Sequence, residues 1–516
     1  MAHGRVAGGI PRRPVERSGD ARRRPATPQH PRHADRCAGR LRRTRSGTRL
    51  ARPSGSSCPG VPTRHEGSNS VNTVPQPDLA PSPRWEFPPS DSFTLSNGLD
   101  VTLFHLPGQY VASVGLLIDA PLSGEPREIE GVATVVASAL IEGTRSHPGP
   151  SFAEAIEDQG AVLGGAVDFS ATQVLLDVPT RHLDAALPLL AQAVAEPTLT
   201  DDAIARHAAQ LTAGLEQQLA TGPGRAAHAL RAALIDPTAR ESRSRTGSPT
   251  SIAGLQGHDA RAYHTATYGP RGARLIVSGD LADGIAARIQ NAFEGWTNPA
   301  QTLIAPQTPR PATPRAIIID RPEAVQADIR MGWFTLDRAD PRWAALQLAT
   351  HALGGAYLSR LNRVLREEKG FTYGIHLVNA PMRRGGLSYT QAAFRTEVVG
   401  EALALTRSIL QGGEFSTHEI DRARDYLTGT TPLRYATAAG VTSGVLSQAA
   451  AGLPADFVPR QLDDYTRVTP EAASKVAEEL LLPQAATLVV VGDAQALLTP
   501  LHEAGFDAEV RASDAN

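Results

Sequence analysis

Two side chains in the C-terminal half could serve as donors to a substrate, or could equally be a helix-surface Arg paired with neighbouring acids and a Tyr packed at a strand start. Arg366 and Tyr373 stand seven residues apart in the run Leu365-Arg366-Glu367-Glu368-Lys369-Gly370-Phe371-Thr372-Tyr373. A guanidinium offers a fixed fork of donors to carbonyl or carboxylate oxygens. A phenol O–H is a donor suited to an oxygen on which negative charge develops. Metal chemistry finds less support. No two histidines are spaced i, i+4: His258 and His264 are six apart, His207 and His228 are 21 apart. Both cysteines, Cys37 and Cys58, precede residue 70, so the remainder has no cysteine metal site or disulfide. The helix-like run Gly131-Val132-Ala133-Thr134-Val135-Val136-Ala137-Ser138-Ala139-Leu140-Ile141-Glu142-Gly143-Thr144 is made mostly of small side chains. Small hydroxyl and methyl side chains of this kind supply neither a usual zinc ligand nor a carboxylate base.

The elements that would position these residues alternate in type. Ser92–Leu95 and Asp100–Phe104 flank an Asn97-Gly98 turn and read as a hairpin. Val111–Ile118, Val162–Val167 and Thr172–Val178 read as strands. Gly131–Glu142, Ser151–Gln159, His182–Ala195 and Asp201–Ala220 read as helices. Further on, Ala316–Ile319 and Ala327–Phe334 read as strands, Pro341–Leu353 and Tyr357–Lys369 as helices. Near the end of each half a β-rich run closes on Gly-Asp: Ala273–Asp280 and Ala486–Asp493, 213 residues apart. That spacing argues for duplicated lobes of about 210 residues. The expected fold class is α+β, each lobe packing helices on a mostly antiparallel sheet.

Composition sets the outer limits. The 516 residues carry a formal charge of -2, which hides an asymmetry. Residues 1–70 hold 16 Arg against four acids, about +12, leaving about -14 for the rest. Residues 1–85 are rich in Arg, Pro, Gly and Ser without apolar periodicity, so disorder is expected. A nucleic-acid arm, a transit peptide and a start codon assigned too early all fit that tail; no aromatic residue precedes Trp85 to stack on bases. The expected division is 86–297 for the first lobe, 298–313 for a Pro-rich linker and 314–512 for the second. No run of 18 apolar residues would span a membrane, and no apolar segment follows the N-terminal arginines as in a secretory signal. A cytoplasmic protein without membrane or nucleic-acid partners is expected.

Residues 90–510 resemble the insulinase/pitrilysin metallopeptidase family. In the second lobe Leu353-Gly354-Gly355-Ala356-Tyr357-Leu358-Ser359-Arg360-Leu361, followed by Leu365–Tyr373, is similar to that family's L-G-G-G-x-x-S-R-L and L-R-E-x-x-G-L-x-Y. In the first lobe Gly131, Ala133, Gly143 and Thr144 match the frame of its zinc helix, G-x-A-H-x-x-E-H followed by Gly-Thr. The His, Glu and His positions hold Thr134, Ala137 and Ser138. The distal Glu ligand falls near residue 215. Glu216 is close, but alignment on Pro223 puts Leu215 at the ligand position. The resemblance implies two α+β lobes in a clamshell, with Arg366 and Tyr373 contacting substrate and the developing oxyanion. It also implies that the run Gly160–Val167, with Gly164 and Gly165, is an edge strand onto which a peptide adds. Ser359 and Arg360 read as fold residues.

Two functions are expected. In the first, this chain binds no metal, is inactive alone, and pairs with a homologous subunit carrying His-x-x-Glu-His and the zinc; together they cleave short peptides. In the second it is a catalytically inactive scaffold or peptide-binding pseudopeptidase.

Overall fold

The computed structural model describes residues 85–512; the expected tail, apart from Trp85, lies outside the described residues. Twelve strands form two six-stranded sheets. The first contains β1 (Asp91–Thr94), β2 (Asp100–His105), β3 (Val111–Ile118), β4 (Val162–Val167), β5 (Thr172–Pro179) and β6 (Arg274–Gly279), in the order β1-β2-β6-β3-β5-β4. The second contains β7 (Ala316–Asp320), β8 (Gln326–Thr335), β9 (Ile375–Pro381), β10 (Gly386–Arg395), β11 (Thr487–Gly492) and β12 (Ala508–Arg511), in the order β12-β7-β11-β8-β10-β9. In each sheet one inner pair is parallel, β2 with β6 and β7 with β11, and the strands beyond it run antiparallel. The Gly-Asp runs 213 residues apart are β6 and β11, which hold the same place in their sheets. The outermost strands break the repeat: β1 is antiparallel to β2, β12 parallel to β7.

Six helices frame the sheets and the site: α1 (Val132–Ala139), α2 (Asp201–Ala220), α3 (Gly222–Leu234), α4 (Trp343–Thr350), α5 (Thr417–Arg434) and α6 (Ala438–Ala450). The pairs α2–α3 and α5–α6 repeat at an offset of 216 residues (201 to 417, 222 to 438). Their starts are fixed alike by hydroxyl caps. Thr200, Thr221, Ser416 and Thr437 each accept an amide N–H from the first turn, contributing about 1 kcal/mol apiece.

The two halves exchange helices. α3, encoded with the first sheet, lays Ala226, Leu230, Ala233 and Leu234 on the second sheet against Ile317, Val489 and Val491. α6, encoded with the second, lays Val441, Val445 and Leu446 on the first sheet against Leu117 and Ile276. Every residue of β3 after Val111 is buried because both faces of that strand are covered. A Cβ at Gly115 in β3 would stand 2.3 Å from Leu446 Cδ1, so glycine sets how closely α6 approaches. Thr442 Oγ1 completes the contact by donating to the Ser113 carbonyl (3.1 Å) and pairing with Ser278 Oγ (2.9 Å).

Two sequence expectations need correction. Pro341–Leu353 is helical from Trp343, and from His351 to Gly355 it widens into a π turn. The expected helix Tyr357–Lys369 begins only at Arg360, capped by Ser359, and widens in the same way over Arg363–Glu368. The break has a packing cause. A Cβ on Gly354 would lie 2.6 Å from Leu377 Cβ of β9, so the chain is pressed onto that strand and must turn. Buried Asn362 holds the turn: its Nδ2 donates to the Ala356 and Ile375 carbonyls, and its Oδ1 accepts from Ile375 N.

Candidate functional site

α1 is a core helix whose start is held from a distance. Its N-cap, Gly131, has φ +106° and no side chain to offer. Glu125 fills that role: Oε1 accepts from Gly131 N (3.0 Å) and Ala133 N (2.9 Å). Its Oε2 accepts from Arg240 Nη2 (2.7 Å) and Nε (3.1 Å). Arg243 in turn grips Glu130 at 2.6 Å. Burial pushes the Glu125 carboxyl pKa up, against the Arg240 charge and the amide donors that pull it down. Sequence reasoning missed this network, whose partners lie 113 to 115 positions apart.

The three positions on α1 where the family carries His, Glu and His do not fit a metal. Thr134 and Ser138 are partly exposed one turn apart, and the Ser138 hydroxyl donates to the Thr134 carbonyl at 2.9 Å. Ala137 is buried and brings only a methyl group. On α2, Leu215 faces the core, while Glu216 is exposed and lines a cleft of about 720 Å³ with Asp202, Thr212 and Gln256. Among the described residues no group of three or more His, Cys, Asp or Glu is placed to hold a metal ion.

Beside α1 runs β4, the edge strand of its sheet. The hairpin joining β4 to β5 is closed by Asp168 N donating to the Ala171 carbonyl, 3.0 Å. Backbone groups alternate sides along an antiparallel strand. From that closure, Val162, Gly164 and Ala166 turn their amides and carbonyls toward β5, while Leu163, Gly165 and Val167 turn theirs to the open edge. The Val167 carbonyl indeed accepts from Arg245 Nη2, which belongs to no strand, at 3.1 Å. The two glycines therefore differ. A Cβ on Gly164 would meet nothing within 4 Å, whereas one on Gly165 would stand 2.3 Å from the Ala137 carbonyl oxygen. Gly165 lets β4 lie directly on α1.

Arg366 and Tyr373 sit on the second lobe. Arg366 donates through Nη2 to the Tyr357 carbonyl (2.9 Å) and through Nε to Glu367 (2.9 Å). Its Cζ lies 3.5 Å from the Tyr357 ring centroid, a cation–π contact. Tyr373 is fully exposed. Gly370, with φ +64°, and the Thr372–Gly374 hydrogen bonds shape the turn between them. Among the described residues no hydrogen bond or ion pair joins Arg366 or Tyr373 to α1 or β4. Arg360 is a fold residue: it grips Glu419 at 2.6 and 2.8 Å, drawing that carboxyl pKa down to about 2. Next to Tyr357 opens a cleft of about 1050 Å³ that includes His351, Arg363, Arg422 and Tyr426. His351 stacks on Tyr426, centroids 4.6 Å apart, and burial lowers its pKa. Neither residue carries a motif that would have marked it in the sequence.

Comparison with known proteins agrees with this geometry. Residues 100–239 match the model of the insulinase family, peptidase family M16. Residues 255–427 match that of the peptidase M16 inactive domain. The chain belongs to the insulinase family. It is 25% identical over 428 residues to an uncharacterized zinc protease of Streptomyces coelicolor, covering 80% of this chain and 91% of that protein. It is 22% identical over 347 residues to a non-peptidase homolog of Helicobacter pylori, covering 66% and 79%. Among solved structures, the M16 inactive domain from Pseudomonas fluorescens superposes with a TM-score of 0.73 at 22% identity, covering 78% of this chain and 98% of that one. A protease from Helicobacter pylori gives a TM-score of 0.72 at 17% identity, covering 79% and 100%. This family member has no His-x-x-Glu-His in its sequence. No helix of the described residues is long and apolar enough to cross a membrane.

Proposed function

We propose that this chain is the zinc-free subunit of a two-chain metallopeptidase acting on short peptides. Its partner is a homologous chain that carries His-x-x-Glu-His and the metal. The observation that carries the proposal is the pairing of a ligand-free α1 with an open strand edge. The scaffold keeps what can hold an extended peptide, the free backbone groups of Leu163 and Gly165, and lacks what would cleave it. Arg366 and Tyr373 would complete the partner's site, Tyr373 as the more available donor because it is fully exposed.

Affinity purification of this chain from its native cells, followed by a peptide-turnover assay, tests the reading. A stoichiometric partner with the zinc motif, and turnover by the pair but not by this chain alone, is expected. Recovery of this chain alone, or only with copies of itself, rules the pairing out. One observation favours the second reading, a non-catalytic peptide-binding subunit: Arg366 is already engaged by the ring and carbonyl of Tyr357 and by Glu367. If a pair forms and neither Arg366→Ala nor Tyr373→Phe alters its turnover, that second reading stands.

A further inference from the structure

α3 has no acidic residue in Gly222–Leu234, and it presents Arg225, His228 and Arg231 at intervals of three on the face away from its apolar contacts. Two more arginines join them. Arg245 reaches the end of β4 through the Val167 carbonyl. Arg330, from the second sheet, lies over the Tyr389 ring at 5.0 Å. Phe169, in the turn that ends β4, has Arg231 at 4.9 Å from its ring centroid and Arg240 at 5.5 Å. Arg240 is neutralised by Glu125. Arg225, Arg231, Arg245 and Arg330 form no ion pair among the described residues. The acids acting on this group are Glu241, felt by Arg231, and Asp328, felt by Arg330 and seated against Gly222 at the start of α3. The crowding shows in the titrating groups. Burial, then the Arg245 charge, holds the Arg231 pKa below its usual value; burial, then Arg225 and Arg231, lowers that of His228.

We infer that this uncompensated stripe is an anion site that selects peptides with acidic side chains as they pair with β4. An extended peptide on the open edge uses the backbone groups of Leu163 and Gly165. One step further, at Val167, it meets the Arg245 guanidinium, with Arg231 and Arg330 beyond. A carboxylate there supplies the missing counter-charge in a partly desolvated place, where charge-assisted hydrogen bonds are strong. The inference rests on the peptide-binding reading of β4.

The test uses the full chain and two fluorescent peptides of one sequence, one with glutamates and one with glutamines in their place, followed by anisotropy at low ionic strength. Both peptides are expected to bind, the glutamate form about tenfold tighter. The double variant Arg231→Gln, Arg330→Gln should reduce it to the affinity of the glutamine form, and Arg231→Lys, Arg330→Lys should keep the preference. An unchanged melting temperature would show that the variants fold. Equal binding of both peptides by the wild type overturns the stripe and leaves peptide capture standing. Failure of both peptides overturns capture and the stripe with it. A single-stranded oligonucleotide that binds more tightly than the glutamate peptide overturns the acidic-peptide assignment.

Discussion

Gly165→Ala and Gly164→Ala should have opposite consequences, although the two residues are neighbours in one strand. At Gly165 the new methyl carbon would sit 2.3 Å from the Ala137 carbonyl oxygen, where ordinary contact begins at 3.4 Å. The strand and α1 must therefore separate by about 1.1 Å (3.4 minus 2.3). The clashing atom is helix backbone and cannot rotate away. Ala137 and the neighbouring Val136 are in the core, so the shift disturbs a packed layer. Overpacking of this kind costs about 1–3 kcal/mol. At Gly164 the methyl meets nothing within 4 Å and φ is not left-handed. There the substitution only restricts the unfolded chain, stabilising by about 0.4–1 kcal/mol. Urea unfolding of both variants beside the wild type measures the difference, since a change in midpoint at constant slope reports stability. The expected gap between the two is about 2–3 kcal/mol, summing the two cited ranges near their centres. Equal midpoints would refute the claim that Gly165 exists to seat β4 on α1. Peptide binding should separate them as well: Gly164→Ala, whose backbone pairs with β5, should leave affinity unchanged.

Three other perturbations have definite expected outcomes. Glu419 is drawn down to about 2 from an ordinary 4.5, first by its hydrogen bonds with Arg360. A depressed carboxylate stabilises above pH 4.5 and loses that contribution as pH falls toward 2, so Glu419→Gln should flatten acid unfolding in that window. Because the carboxylate keeps partial contact with solvent, the loss at neutral pH should be only about 1 kcal/mol. Tyr373→Phe should leave the melting temperature of the isolated chain unchanged, its ring being fully exposed. It should lower turnover of the two-chain assembly about 10- to 1000-fold; undiminished turnover removes Tyr373 from the site. Restoring the family residues with Thr134→His, Ala137→Glu and Ser138→His should not produce stoichiometric zinc after dialysis if Leu215, as the resemblance implies, holds the third ligand position. Adding Leu215→Glu should raise the metal content, and one equivalent of zinc in the triple variant would contradict the account of α1.

Much of the fold was legible because it is written locally. The strands Val111–Ile118 and Val162–Val167 and the helix Asp201–Ala220 have in the structure the bounds read from the sequence. The 213-residue echo located β6 and β11 without any contact information. Long-range choices were not legible. Nothing in the amphipathic pattern of α3 or α6 says which sheet its apolar face will cover, so the exchange of helices between the halves was invisible. Glu125 and Arg240 are ordinary charges until the fold buries them together. The run Tyr357–Lys369 has a helical pattern throughout, and only the pressure of Gly354 on β9 breaks its first turn. Gly164 and Gly165 looked equivalent as letters; the strand's pleat assigns one to β5 and the other to the free edge.

The structure also explains how α1 persists without its ligands. A metal-binding helix must satisfy two demands, to fill its part of the core and to aim ligands outward. In this chain the first is met without the second. Val132, Ala133, Val135, Val136 and Ala139 are all buried. The helix start is anchored by Glu125 and Arg240, which owe nothing to a metal. The far end is tied to α2, where Glu142 accepts from Arg206 at 2.6 Å and pairs with His207 at 2.8 Å. The start is thus fixed by the hydrogen bonds of Glu125, the far end by an ion pair and the middle by packing, so the helix needs no metal to hold it. The open edge of β4 survives for the same reason: its position depends on Gly165 and Ala137 rather than on a metal. On the proposed reading, a surface that can bind an extended chain is separable from the chemistry that would cut it, and this chain carries the former.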